Sequence, residues 1–303
     1  MRTRSPLLGT ARLLAYVLWT CALIPVQILA VALKRPLART LPRFYHGVCR
    51  RIMGIDTVVC GTVSAERPTL FVCNHTSYLD IMVLGSLVEA CFVAKSEVAL
   101  WPFFGLLAKL QRTVFVDRRI GSVGGHRDIL QRRLTDGDCL ILFPEGTSSD
   151  GTRTLPFKSA LFAVAGLRIA DRPICVQPVS ITCTALDGMP LGRRLRPVYA
   201  WYGDMELVPH LWAMAGFGRL TVTVEFHPPV TFEHAGSRKA LAAHCWGAVS
   251  AGVANANAGH APTGEAPPGA PRPSTYSLDF RVDWPNVIGA GRVDRPTTTK
   301  SGG

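Results

Sequence analysis

His75 and Asp80 are the pair in this chain whose types and spacing could move a proton. They lie in the string Asn74-His75-Thr76-Ser77-Tyr78-Leu79-Asp80. An imidazole has an unperturbed pKa of about 6.5, which suits a proton acceptor near neutrality. On a regular helix, residues five apart are rotated by about 140° and do not share a face. The two side chains therefore meet only if His75 lies on the turn leaving a strand and Asp80 lies in the first turn of the next helix. Ser77 is the expected N-cap of that helix, which reads on through Tyr78-Leu79-Asp80-Ile81-Met82-Val83-Leu84. The carboxylate would hold one ring nitrogen as N–H and leave the other free to take a proton. That is the base-and-orienter half of a catalytic triad. No G-x-S-x-G elbow occurs in the chain, so the hydroxyl to be activated is expected on the substrate.

A second string, Phe143-Pro144-Glu145-Gly146-Thr147, belongs to the same expected site. Each string follows a short apolar run, Thr69-Leu70-Phe71-Val72-Cys73 and Cys139-Leu140-Ile141-Leu142. Such runs, ended abruptly by polar, Gly or Pro residues, read as central strands of a mostly parallel sheet in an α/β domain. Ligands bind where such strands end, so both strings are expected at one crevice.

Further strings follow in a fixed order: Val93-Ala94-Lys95-Ser96-Glu97, Trp101-Pro102-Phe103-Phe104-Gly105, Thr113-Val114-Phe115-Val116-Asp117-Arg118 and Val176-Gln177-Pro178-Val179-Ser180. With the His-x4-Asp and Phe-Pro-Glu-Gly-Thr strings, this order over roughly residues 68 to 230 resembles the glycerolipid acyltransferase family that includes 1-acylglycerol-3-phosphate O-acyltransferases. The resemblance implies the glycerolipid acyltransferase fold. It also implies that His75 deprotonates a lysolipid hydroxyl, which attacks an acyl thioester on coenzyme A or acyl carrier protein, with Asp80 orienting His75. Asn74, Arg118, Glu145, Gly146 and Thr147 take positions associated with acceptor binding, and Lys95 would face the head group. One departure stands out. The family's Glu-Gly-Thr is usually followed by an arginine, and this chain has Ser148. A lost guanidinium removes a bidentate phosphate partner. Either Arg153 or Lys158 substitutes for it, or the acceptor carries no phosphate monoester. The first case keeps lysophosphatidate as the expected acceptor; the second points to a lyso-ornithine lipid or another lysophospholipid.

Each residue also admits a structural role. Asp80, three after Ser77, would complete a capping box. His75 alone suits a turn, Pro144-Glu145-Gly146 suits a strand exit, and Lys95 and Arg118 suit a solvated surface. A lipid hydrolase or transacylase using the same pair, and a non-catalytic membrane adaptor, are the rival classes.

The elements around the site point to lipid. Leu13 to Leu33 is a twenty-one-residue stretch without a charge, long enough to span the hydrocarbon core. A signal peptide and a spanning helix both compete for this stretch, but a helix inserted into one leaflet fits its basic flanks best. Pro36 to Met53 follows as a basic amphipathic pattern expected to lie on anionic lipid. Between Met1 and Ile55 there is no Asp or Glu, and nine Lys and Arg contribute nine of the net +12 charges. Charge concentrated beside apolar helices speaks for a membrane surface and against nucleic acid. The thioester donors that the resemblance implies place the protein on the cytoplasmic face of a bacterial inner membrane.

The nine cysteines form no C-x-x-C pair. They read as core residues in a reducing compartment, with no metal site expected. No Walker or G-x-G-x-x-G motif occurs, so no cofactor is expected beyond the thioester co-substrate. Trp101-Pro102-Phe103-Phe104 is expected to open a helix with Pro at its first position, and Gly124-Gly125 to precede one at Ile129. Gly192 to Gly218 reads as an aperiodic loop, Leu220 to Phe226 as a late strand and Lys239 to Val253 as a helix. The expected organisation is a membrane helical pair over 1–55, an acyltransferase domain over 56–255 and a disordered tail over 256–303.

Overall fold

A computed structural model describes residues 4–116 and 123–260; Arg118 and nearly all of the expected tail lie outside the described residues. Two helices come first, α1 (Pro6–Ala32) and α2 (Leu37–Ile52), followed by β1 (Ile55–Gly61), β2 (Thr69–Cys73) and α3 (Leu79–Leu87). Then come β3 (Cys91–Lys95), α4 (Phe104–Leu110), β4 (Val114–Val116), α5 (Val123–Thr135) and β5 (Leu140–Leu142). A small ribbon of β6 (Arg168–Ile169) and β7 (Arg172–Pro173) leads to the long β8 (Cys175–Leu186), with β9 (Met189–Pro190) folded back on its end. The chain closes with α6 (Arg196–Tyr199), α7 (Leu207–Ala215), β10 (Leu220–Phe226), β11 (Val230–Thr231), α8 (Phe232–Ala235) and α9 (Arg238–Asn257).

The main sheet runs β1-β10-β8-β2-β5-β3-β4. Every neighbouring pair along it is parallel except β10 with β8. The α/β reading with a mostly parallel sheet therefore holds. β2 and β5 are buried along their whole length, as continuous apolar runs in a two-sided sheet should be. Alternation sends their side chains to opposite layers: Phe71, Cys73 and Ile141 join the core beneath α1, α2 and α3, while Leu70, Val72, Leu140 and Leu142 join that beneath α5 and α9. The register Leu70↔Leu140, Phe71↔Ile141, Val72↔Leu142 brings the strand exits at Asn74 and Phe143 side by side.

Several expectations are corrected. Helix α3 starts at Leu79, with Tyr78 as its cap and no side-chain cap bond. The Asp80 carboxylate takes the N–H groups of Thr76 and Ser77 at 2.7 and 2.9 Å, while the Ser77 hydroxyl accepts only from the Leu79 N–H, at 3.4 Å. Pro102 is not in the first helical turn, since α4 begins only at Phe104, after Phe103 at φ 63°. Gly124 and Gly125 lie inside α5. The segment from Gly192 to Gly218 is not wholly a loop, since it carries the two short helices α6 and α7. Helix α9 runs to Asn257, two residues into the expected tail.

The N-terminal pair is not a separate unit. Helix α1 is long and apolar enough to cross a membrane, yet Gly9, Tyr16, Thr20, Gln27 and Ala30 form a buried stripe along it. Arg12 donates to the carbonyls of Ala215, Phe217 and Gly218, and Gln27 to those of Ala38 and Leu110. Both halves of α1 are therefore tied to the same domain. Helix α2 buries Ala38, Leu41, Pro42, His46 and Cys49. Three of its arginines are engaged internally, Arg39 with Asp138 at 3.3 Å, Arg43 with the Ser86 carbonyl at 3.4 Å and Arg50 with the Ile55 carbonyl at 2.6 Å. Part of the basic pattern expected on lipid serves the fold instead.

Candidate active site

Burying an aspartate without exposure demands partners for both oxygens. Asp80 is 0% exposed, and its partners are all present. Oδ2 accepts from His75 Nδ1 at 2.9 Å as well as from the Thr76 and Ser77 amides. Oδ1 accepts from the Tyr199 hydroxyl at 2.9 Å. Burial beside Asp80 raises the Tyr199 pKa far above the ordinary phenol value, so the hydroxyl stays a donor. With Nδ1 held as N–H, the tautomer leaves a lone pair on Nε2. That atom makes no hydrogen bond to any described residue, and the imidazole keeps 21% exposure.

The two expected strings do meet. Glu145 Oε1 accepts from the His75 backbone N–H at 3.0 Å, and Oε2 from that of Leu155 at 3.2 Å. The His75 carbonyl accepts from Ser149 N at 2.9 Å. The imidazole stacks on Phe143 with ring centroids 4.2 Å apart, and Phe143 stacks on Phe92 at 6.2 Å. Burial pushes the Glu145 carboxyl up to about 8, against the downward pull of its two amide donors. Glu145 is thus a brace between the loops, with both oxygens spent on backbone. Asn74 is spent likewise: its amide exchanges two hydrogen bonds with the backbone of Ile181, at 2.9 and 2.8 Å. This pins the exit of β2 to β8.

The other expected residues are spread around this centre. Gly146 is buried at φ 75°, as a turn after β5 requires, and Thr147 is exposed. Lys95 ends β3 opposite Val116 of β4, at the same edge of the sheet, and is exposed. Arg153 is exposed and forms no ion pair with a described residue. Ser148 donates to the Trp201 carbonyl at 2.5 Å. Tyr199 was missed from sequence, because nothing in an aperiodic stretch marks a residue that reaches Asp80 from 119 positions away.

On the α1–α3 side of the sheet lies an apolar cavity of about 190 Å³, lined among others by Leu23, Ile24, Ile81, Phe92, Trp101 and Leu107. Phe92 belongs both to its wall and to the aromatic stack that reaches His75. A base held by a buried carboxylate, beside space for an aliphatic chain, suits attack by a lipid hydroxyl.

This is the arrangement of an acyltransferase, and residues 57–182 match the family described as Acyltransferase. The chain belongs to this acyltransferase family. A lyso-ornithine lipid O-acyltransferase of Rhizobium meliloti strain 1021 is 43% identical over 230 residues, 75% of this chain and 79% of that protein. Another of the same description from Brucella abortus strain 2308 is 43% identical over 244 residues, 78% and 91% of the two chains. The crystal structure of the 1-acyl-sn-glycerophosphate (LPA) acyltransferase PlsC from Thermotoga maritima matches with a TM-score of 0.57 at 22% identity, over 82% of this chain and 93% of that one. The last is a likeness of fold.

Proposed function

We propose that the protein transfers a fatty acyl group from an acyl-CoA or acyl-carrier-protein thioester to the hydroxyl of a lyso-ornithine lipid at a membrane surface. The observation that carries the chemistry is the His75–Asp80 pair, with Nε2 unbonded and Asp80 saturated by donors. His75 Nε2 takes the proton of the lipid hydroxyl as its oxygen attacks the thioester carbonyl carbon. The tetrahedral intermediate then collapses with cleavage of the C–S bond, and the thiolate recovers a proton from His75. The apolar cavity takes an aliphatic chain of one substrate.

Two observations favour a lyso-ornithine lipid over lysophosphatidate, the acceptor expected first from the sequence. Relatives covering most of this chain at 43% identity carry that description. Position 148, where the family usually has an arginine, is a serine spent on the Trp201 carbonyl. An amino acid head group without a phosphate needs no guanidinium there. Thioester donors are cytosolic, so a site that uses them would face the cytoplasm. The test incubates purified protein with one acyl thioester and each lysolipid, with products identified by mass spectrometry. Lyso-ornithine lipid should be used at least tenfold better than lysophosphatidate, since one charge-assisted hydrogen bond is worth roughly ten- to a hundredfold. Ser148→Arg should improve lysophosphatidate use alone. Turnover of lysophosphatidate in preference by the unaltered protein restores the first expectation and keeps the mechanism.

A further inference from the structure

Between β3 and the end of α4 the chain carries four apolar side chains that the chemistry does not use and the fold does not bury. Leu100 is 84% exposed, Leu106 44%, and Trp101 and Phe103 39% each. None of them belongs to either layer of the core. Exposed apolar residues scattered singly need no explanation, but a cluster this dense in the chain does. Phe103 is also held against its backbone preference, at φ 63° and ψ −56°, where a bulky residue is strained and glycine is not. Strain of this kind persists where a side chain is needed in place. Here it accompanies an aromatic ring left exposed.

Three observations select a lipid leaflet as what covers this patch. The first is continuity with α1. Gln27 of α1 donates to the Leu110 carbonyl at the end of α4 at 2.7 Å, and its neighbours Val26, Ile28 and Leu29 are exposed. The second is the cavity, whose wall takes Val98, Trp101, Phe104 and Leu107 from this segment and Leu23 and Ile24 from α1. Trp101 is both wall and exposed surface, which puts the patch at the cavity's rim. An aliphatic chain passes from a bilayer into that cavity without meeting water only if the rim stands among the lipid chains. The third is charge. The charged residues over 95–110 are Lys95, Glu97 and Lys109, all exposed, and α1 leads into exposed Lys34 and Arg35. That positive balance suits an anionic leaflet, and Trp101 suits its interface. By contrast, the exposed Val208 and Trp212 of α7 follow exposed Asp204 and Glu206. We propose that Leu100, Trp101, Phe103 and Leu106 insert into a bilayer leaflet alongside α1, as a second membrane contact through which a lipid chain enters the cavity. The inference rests on the acyl-transfer reading above, whose substrate supplies that chain.

The test places an environment-sensitive fluorophore on Leu100→Cys or Phe103→Cys in a protein lacking the exposed Cys21 thiol. The control label sits on Gly247→Cys, exposed on α9 in the opposite layer with open space at its Cβ. Each protein is added to phosphatidylcholine–phosphatidylglycerol vesicles with plain or brominated acyl chains. Bromine quenches a fluorophore that lies among the chains. Labels at 100 and 103 should be blue-shifted and quenched, and the label at 247 should be neither. Labels at 100 and 103 left unquenched, on protein that sediments with the vesicles, would overturn the proposal. So would a blue shift that follows protein concentration without lipid, the sign that a second copy covers the patch. A second arm reads chain entry. Leu100→Glu with Phe103→Glu should lower kcat/KM by roughly tenfold for a long-chain lysolipid presented in vesicles, with less than about threefold change for a short-chain lysolipid dissolved as monomers. Equal loss with both substrates, or loss with neither, would overturn the entry role. Should this variant fail to fold, quenching decides alone. Quenching also separates the two readings, because absence of product from every substrate sinks acyl transfer without touching the membrane contact.

Discussion

Four donors converge on the two oxygens of Asp80: the His75 ring, two successive backbone amides and the Tyr199 hydroxyl. A carboxylate can accept all four, whereas an asparagine would set its own N–H groups against some of them. Asp80→Asn should therefore cost most of the activity by favouring the wrong imidazole tautomer, and His75→Ala roughly 10²–10⁴-fold in kcat. Tyr199→Phe tests a subtler role. Its hydroxyl hydrogen-bonds Asp80 and no other described residue, so its loss should lower kcat by roughly tenfold with KM unchanged, as expected of a positioning residue. A Tyr199→Phe enzyme with unaltered kcat, or with KM raised in proportion, would remove that role. His75 and Asp80 were legible because their partnership is local, a strand exit followed by one helical turn. Asn74 and Glu145 were legible as members of the site but not in their work: sequence cannot say whether a polar side chain faces a ligand or, as here, the backbone of Ile181, His75 and Leu155.

At the scale of elements, the apolar and amphipathic periodicities of α1 and α2 marked the helices and left open what covers them. A hydrophobic stripe suits a core as well as it suits lipid. For α2 the answer is mainly the domain. For α1 it is divided: the stripe of Gly9, Tyr16 and Thr20 is buried, while Leu7, Leu14 and Leu18, two positions back and so about 200° around, are 84, 59 and 70% exposed. A helix fastened to one domain through Arg12 near one end and Gln27 near the other lies along that domain, which supports insertion into one leaflet over crossing. Replacing Leu7, Leu14 and Leu18 together by Glu should move the protein from membrane pellet to supernatant with its fold retained, since burying each leucine is worth about 1.5–3 kcal/mol. High salt should leave the unaltered protein bound, because ions do not screen apolar burial. In sealed inside-out vesicles lacking the Cys21 thiol, Leu7→Cys and Leu33→Cys should react with an impermeant reagent from the same side. Labelling from opposite sides would establish a spanning helix. Truncating the first 53 residues is a poor test, because it removes Tyr16, Cys49 and Met53 from the core.

Across the whole molecule the sheet order was the least legible level. β1 and β10 pair across 165 positions, as in Ile55↔Leu220, and the antiparallel junction of β10 with β8 is set by where a late strand returns. No periodicity within either strand encodes that meeting. What the order achieves is to place the exits of β2 and β5 side by side, and Glu145 is the side chain that ties the two loops together. Its carboxyl titrates near 4.5 in an unfolded chain and at about 8 in the fold. Between those values the folded protein holds a proton that the unfolded chain has released, so stability contributed by the neutral carboxyl is full below about 4.5 and is lost as pH rises toward 8. Glu145→Gln is neutral in both states and has no such slope. Denaturant unfolding of both proteins in the same detergent at pH 5, 6.5 and 8 should show the stability of wild type relative to the variant declining steadily with pH. A gap that stays constant, or widens toward pH 8, would mean that the two backbone donors outweigh burial and that Glu145 braces the loops as a carboxylate throughout.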